Sequence, residues 1–129
     1  MKISLEKELE NWIDNLSNIK NLSHNSIISY KNDVLKFLEF LSLHMDREID
    51  EKVLQEMRVS DFRSFLTYRR SNNLSSNSIA RNISSLKSFF NYLIKNNKLK
   101  NSEVFVLKSP KLKKTVSISN ETTPIKSST

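Results

Sequence analysis

Asn77, Arg81, Ser84, Ser88, Asn91 and Lys95 recur at alternating steps of four and three residues. That spacing lines up one face of a helix. The row contains no acid, although exposed helix faces usually mix signs. Asn and Ser are mediocre helix formers, so helix propensity does not explain their use here. Long cations with small amides and hydroxyls are the side chains that contact phosphates and base edges. Lys87 flanks the row, and Arg69 and Arg70 precede it in what reads as a connecting loop. A weaker version of the face occurs earlier at Asn25, Ser29, Asn32 and Lys36, with Glu39 intruding. A chain rich in Asn and Lys throughout is the competing explanation for both rows.

The elements that must position these faces come as a repeat. Residues 22–41 read LSHNSIISYKNDVLKFLEFL and residues 74–93 read LSSNSIARNISSLKSFFNYL, in register without a gap. Each copy opens on a capping serine, Ser23 or Ser75, and continues as an amphipathic helix. The first turn of a helix carries unpaired N–H groups and the positive end of the dipole, which suits phosphate. Two such ends suggest a clamp on nucleic acid, but two helices packed in one bundle would also resemble each other.

Around the repeat, periodicity predicts a first helix over about Ser4–Asn18, with Leu5, Leu9, Trp12, Ile13 and Leu16 on one stripe. The second helix runs to about Leu43, and a short helical turn follows around Val53–Met57. Ser60 is expected to cap a third helix, from Asp61 to about Arg70. The fourth extends from Ser75 to about Asn96, where the Asn96–Asn97 pair stops it. Its apolar residues Ile79, Ile83, Leu86, Phe90 and Leu93 fall within about 80° of arc at 100° per residue. Trp12, Phe37, Phe62 and Phe90 are expected in the core. The fold class is therefore all-α, a compact bundle of four to five helices over residues 1–108. Residues 109–129 are Ser/Thr/Lys-rich, hold both prolines, and read as linker and disordered tail.

Composition limits the functions available to such a bundle. The chain has 129 residues and no cysteine or glycine. That excludes disulfides, thiolate metal sites, a cysteine nucleophile and Gly-rich phosphate loops. Only two histidines are present, so a metal site is not expected, nor is any other cofactor. With no apolar run near the roughly 20 residues of a membrane span and no signal-like N-terminus, the expected location is cytoplasmic. Charge is divided unevenly. Residues 1–60 hold 8 Lys/Arg against 11 Asp/Glu, a net of −3, whereas residues 61–129 hold 13 against 3, a net of +10. The basic half points to a polyanionic partner, and nucleic acid fits better than lipid because no helix has a Lys-rich face edged by exposed aromatics.

The segments LSxNSIxxYxxDVxxFxxFL, VSDFRSFLxxR, LSxNSIARNISSLKSFFNYLIKNNKL and SPKLKK resemble the N-terminal core-binding, SAM-like domain of tyrosine site-specific recombinases. The likeness is to the Xer-type integrases of bacteria and covers most of residues 3–114. It implies a helical bundle on one side of duplex DNA, joined by a flexible linker to a catalytic domain on the other side. Together the two domains form a C-shaped clamp. By resemblance, Ser26, Lys31 and Asn32 in the second helix and Ser78, Arg81 and Lys87 in the fourth match DNA-facing positions. Lys87 departs from the pattern, where Arg is commoner; charge is kept but the bidentate fork is lost. Lys31 lies closer to the apolar stripe than a DNA contact should. Beyond Lys114 the likeness fades.

In the resembled family, DNA is cleaved by a Tyr nucleophile with Arg, Lys and His residues of the catalytic domain. This chain is therefore expected to be truncated before that domain and not to be an enzyme by itself. His44-Met45-Asp46-Arg47 spells the family's His-x-x-Arg element, but it falls in an acidic loop and reads as coincidence. Tyr30 and Tyr92 sit at bundle positions, and Tyr68 stands beside Arg69. The expected partner is double-stranded DNA, reached through Asn25, Ser26, Lys31, Asn32, Arg69, Arg70, Asn77, Ser78, Arg81 and Lys87. A recombinase catalytic domain or other recombinase protomers are further candidate partners, and the DNA-free chain is expected to be a monomer. Two alternatives stay open: a stand-alone helical protein-interaction module, and a helix-turn-helix regulator with Arg70–Ser75 as its turn.

Overall fold

The computed structural model describes residues 3–18 and 22–108; the expected tail over 109–129 lies outside them. Five α-helices follow in order: α1 (Ile3–Asn18), α2 (His24–Met45), α3 (Glu51–Gln55), α4 (Val59–Ser71) and α5 (Ser76–Lys95). A 3-10 turn, Glu103–Val106, closes the described chain, and the described residues contain no β-strand. This is the all-α bundle that the hydrophobic periodicity predicts.

The two repeat copies begin alike. Ser23 and Ser75 are extended N-caps whose hydroxyls accept from the N–H groups of Ser26 and Ser78, each at 3.2 Å. The ends are handled without glycine. Asp46, Asn73 and Asn97 adopt the left-handed conformation at φ 52°, 65° and 59°, a role that Asn and Asp fill when Gly is lacking. After α5, the Lys98 N–H donates to Leu93 O at 2.9 Å and that of Asn97 to Ile94 O at 3.1 Å. These are the two bonds of a Schellman stop.

Two boundaries differ from the sequence reading. Ser60 does not cap the third long helix; it lies inside α4, whose N-cap is Arg58. Arginine offers no side-chain acceptor, and Asp61 supplies one by reaching back to the Arg58 N–H at 2.9 Å. The short turn starts two residues earlier than expected, because Asp50 caps it through the Val53 N–H at 3.0 Å.

α2 packs most extensively on α5, with α1 against both and α4 closing the other side. Trp12, Phe37, Phe62 and Phe90 are fully buried, as their spacing predicts, and so are Phe65 and Phe89. Phe37 stands at the centre, with ring centroids 5.5 Å from Phe62, 5.1 Å from Phe65 and 6.3 Å from Phe90. Leu99, Val104 and Leu107 cap this core from the C-terminal segment.

Asn101 ties that segment down. Its buried amide donates toward the carbonyls of Leu54, Gln55 and Met57 at 2.8–3.1 Å, and its oxygen accepts from the Glu103 N–H at 2.8 Å. The two N–H groups of one side chain thus share three carbonyls at and just beyond the end of α3. Asn101→Ala is expected to cost about 1–3 kcal/mol, the penalty for buried carbonyls left unmatched. Urea denaturation measures it, and an unchanged midpoint would refute the staple.

Candidate nucleic-acid interface

α5 buries more of its circumference than the predicted apolar stripe indicates. Asn82, Ser85 and Phe89 are fully buried along with Ile79, Ile83, Leu86, Phe90 and Leu93. At about 100° per residue these additions double the buried arc to about 160°. The widening turns the polar face, so two members of the predicted row find protein partners. Ser88 accepts from the indole N–H of Trp12 at 3.1 Å. Arg81 pairs with Asp33 of α2, its Nε 2.8 Å from Oδ2 and its Nη2 3.0 Å from Oδ1.

The row is therefore acid-free in sequence but not in space, since an acid from the other repeat copy meets it. Asp33 is buried, with a side chain 3% exposed against 42% for Arg81. Ser85 Oγ also donates to Asp33 at 2.9 Å. Asp33 and Ser85 are 52 residues apart, which is the offset of the repeat. The two copies thus touch through equivalent positions. The fork to Asp33 raises the Arg81 pKa above the ordinary guanidinium value, mainly through the hydrogen bond and against the opposing effect of burial. Three guanidinium N–H groups remain outside the fork.

The other predicted residues divide by environment. Arg69 and Arg70 belong to the last turn of α4 and not to a loop. Arg69 Nε donates to Asn82 Oδ1 at 3.2 Å, and Asn82 in turn donates to Ser78 O at 2.7 Å. Arg70 is exposed. Asn25, Asn32 and Asn77 are exposed, and Ser26 and Ser78 are half-buried beside their capping serines. Lys31 lines a groove with Glu6, Glu10 and Asp14 of α1, so it faces the acidic side of the molecule. Lys87 lines a different groove, with Asn15, Ser88, Asn91, Lys95 and Phe105, which contains no acid. What remains outward on α5 is a strip of Asn77, Arg81, Ser84, Lys87, Asn91 and Lys95, with Arg81 at its edge.

Asp33, Asn82 and Ser85 were missed by the sequence reading. A signal for Asp33 was present, because it falls three residues after Tyr30 and four before Phe37, within the apolar stripe of α2. An acid in that register requires a buried partner. The His-x-x-Arg element is accounted for locally. His44 stacks on Phe40 at 5.1 Å and its Nε2 lies 3.8 Å from Asp61 Oδ1. Among the described residues no group of three or more His, Cys, Asp or Glu is placed to hold a metal, and no helix is long and apolar enough to cross a membrane.

A small α-helical bundle with a basic, acid-poor helix face is the class that this geometry defines. The chain belongs to the family of the phage integrase N-terminal SAM-like domain, whose model matches residues 9–97. It is similar to the tyrosine recombinase XerC of Rickettsia prowazekii (strain Madrid E), with 33% identity over 111 residues, 86% of this chain and 36% of the relative. The tyrosine recombinase XerC of Rickettsia bellii (strain OSU 85-389) is 37% identical over 103 residues, 80% of this chain and 34% of the relative. The chain thus spans about a third of the length of the curated relatives it matches. No solved structure gives a significant match.

Proposed function

We propose that this chain is the DNA-binding, core-binding domain of a Xer-like tyrosine recombinase, gripping one face of duplex DNA during recombination or integration. The cleavage chemistry that the resemblance implies is assigned to a catalytic domain outside these 129 residues. The observation that carries the reading is the outward strip of α5, where Lys87, Asn91 and Lys95 share an acid-free groove. Lysines there neutralise phosphates, and Asn77, Ser84 and Asn91 offer short hydrogen-bonding groups. Half a clamp should bind weakly, with Kd in the range of about 10⁻⁴–10⁻⁶ M typical of non-specific binding at physiological salt.

Fluorescence anisotropy on labelled duplex DNA across a salt series tests this. Lys87→Ala and Lys95→Ala are each expected to flatten the slope of log K against log salt by about 0.9. Lys7→Ala, on the acidic first helix, should leave it unchanged. If all three variants behave alike, the strip is not the interface. A protein-interaction module then becomes the better reading. One observation already favours that second reading: Leu43 is 79% exposed at the end of α2, beside Phe40 and the 47%-exposed Tyr68.

A further inference from the structure

We propose that the groove between α4 and residues 106–108 is a second, sequence-independent seat for the phosphodiester backbone of the same duplex. The proposal rests on the reading of the chain as a DNA-binding module. Arg63, Leu66, Thr67 and Arg70 lie at i, i+3, i+4 and i+7, which places them on one face of α4. Val106, Leu107 and Lys108 form the opposite wall of a cleft of about 610 Å³. No acid lines it. Arg63, Arg70 and Lys108 are exposed, and none has an ion-pair partner among the described residues. Two other cations of the described residues do pair with acids, Arg81 with Asp33 and Lys98 with Glu8 at 3.4 Å.

Three like charges left around one cleft repel one another, and a polyanion relieves that repulsion. The cleft is also firmly built. Leu66 and Leu107, which form its apolar floor, are buried in the core, so the cations stand on fixed backbone while their heads remain in water. Arg63 and Arg70 are seven residues apart, about 10 Å along the helix axis. That distance covers about three phosphate steps of one strand, at 3.4 Å of duplex axis each. The Thr67 hydroxyl lies between them as a neutral donor.

Continuity with the α5 strip follows from the 3-10 turn. Phe105 lines the groove of Lys87 and Lys95, and the next residue, Val106, lines the cleft of Arg63 and Arg70. The two acid-free grooves therefore flank a single turn of chain, and a backbone held in one is led toward the other. The cleft has no Asn or Gln to match an adenine edge, and its two guanidiniums, set about three phosphate steps apart along α4, are assigned to the backbone of one strand and not to a guanine edge. Its contribution should be the same for every sequence.

The full chain carrying Arg63→Ala, Arg70→Ala and Lys108→Ala together, and separately Thr67→Glu, is titrated with duplexes of two unrelated sequences over a salt series. All four positions are exposed, and circular dichroism melting verifies the fold. The triple variant is expected to lose about 2.7 from the salt slope, near 0.9 per cation, equally on both sequences. Thr67→Glu should weaken binding at low salt on both. Lys87→Ala with Lys95→Ala is run alongside. If the lysine pair flattens the slope and the cleft variants do not, the cleft proposal is overturned and the DNA-binding reading stands. If neither set changes the slope, both fall. A loss confined to one sequence would make the cleft a base reader and overturn the proposal as stated.

Discussion

Arg81→Ala is expected to destabilise the fold by about 2–3 kcal/mol, before any effect on a ligand is counted. Removing the guanidinium strands the Asp33 carboxylate, whose side chain is 3% exposed and keeps only Ser85 as a donor. A fully buried pair broken in this way loses about 3–5 kcal/mol. The half-exposed guanidinium is partly screened by solvent, which sets the value lower. Asp33→Ala combined with Arg81→Ala should be milder than the sum of the single variants, because neither charge is then left alone. Chemical denaturation of all four members of the cycle measures the coupling, and additive losses would show that the pair contributes nothing. Arg81→Lys keeps the charge but cannot reproduce the fork, so it should recover only part of the stability. The raised Arg81 pKa adds stability that is full below the unfolded guanidinium value and lost only as pH rises through the higher folded value. Neutral-range pH therefore leaves this contribution intact. DNA affinities of Arg81 variants are meaningful only at temperatures where the variant is still folded.

Phe37→Ala should cost about 3–5 kcal/mol, the range for deleting a buried aromatic ring. Phe37 is fully buried and meets rings from α4 and α5 at once, through Phe62, Phe65 and Phe90. The surrounding helices cannot close such a hole without breaking their own contacts, so the cavity term adds to the lost transfer energy. Against a typical total of about 5–15 kcal/mol, this is a large fraction. At about 4–8 °C per kcal/mol for a domain near this size, thermal melting should fall by about 12 °C or more. Phe105→Ala, on the partly exposed 3-10 turn, is the comparison and should change the melt far less. Equal melting temperatures for the two variants would contradict the assignment of Phe37 as the centre of the core.

The helices were legible in the sequence because their signals are local. Capping serines at 23 and 75 and the stop at Asn96–Asn97 act within one turn of chain, so residue type and spacing suffice to place them. Trp12, Phe37, Phe62 and Phe90 could be assigned to the core for the same reason: an apolar stripe has to be buried against something. Where a nearer neighbour competed, the local signal misled. Ser60 looks like a cap, yet Asp61 reaching back to Arg58 starts α4 two residues earlier.

Sequence alone determined the helical class, the family likeness, the acid-poor C-terminal half and the polar row on the last long helix. Tertiary structure decided which of those polar residues face outward. Arg81 meets Asp33 across a gap of 48 residues and Ser88 meets Trp12 across 76. The same packing directs Lys31 toward the acids of α1 and Lys87 into an acid-free groove. A helical wheel records the angle of a side chain about its own axis, whereas its electrostatic surroundings depend on the neighbouring helix, and only packing brings that neighbour into place.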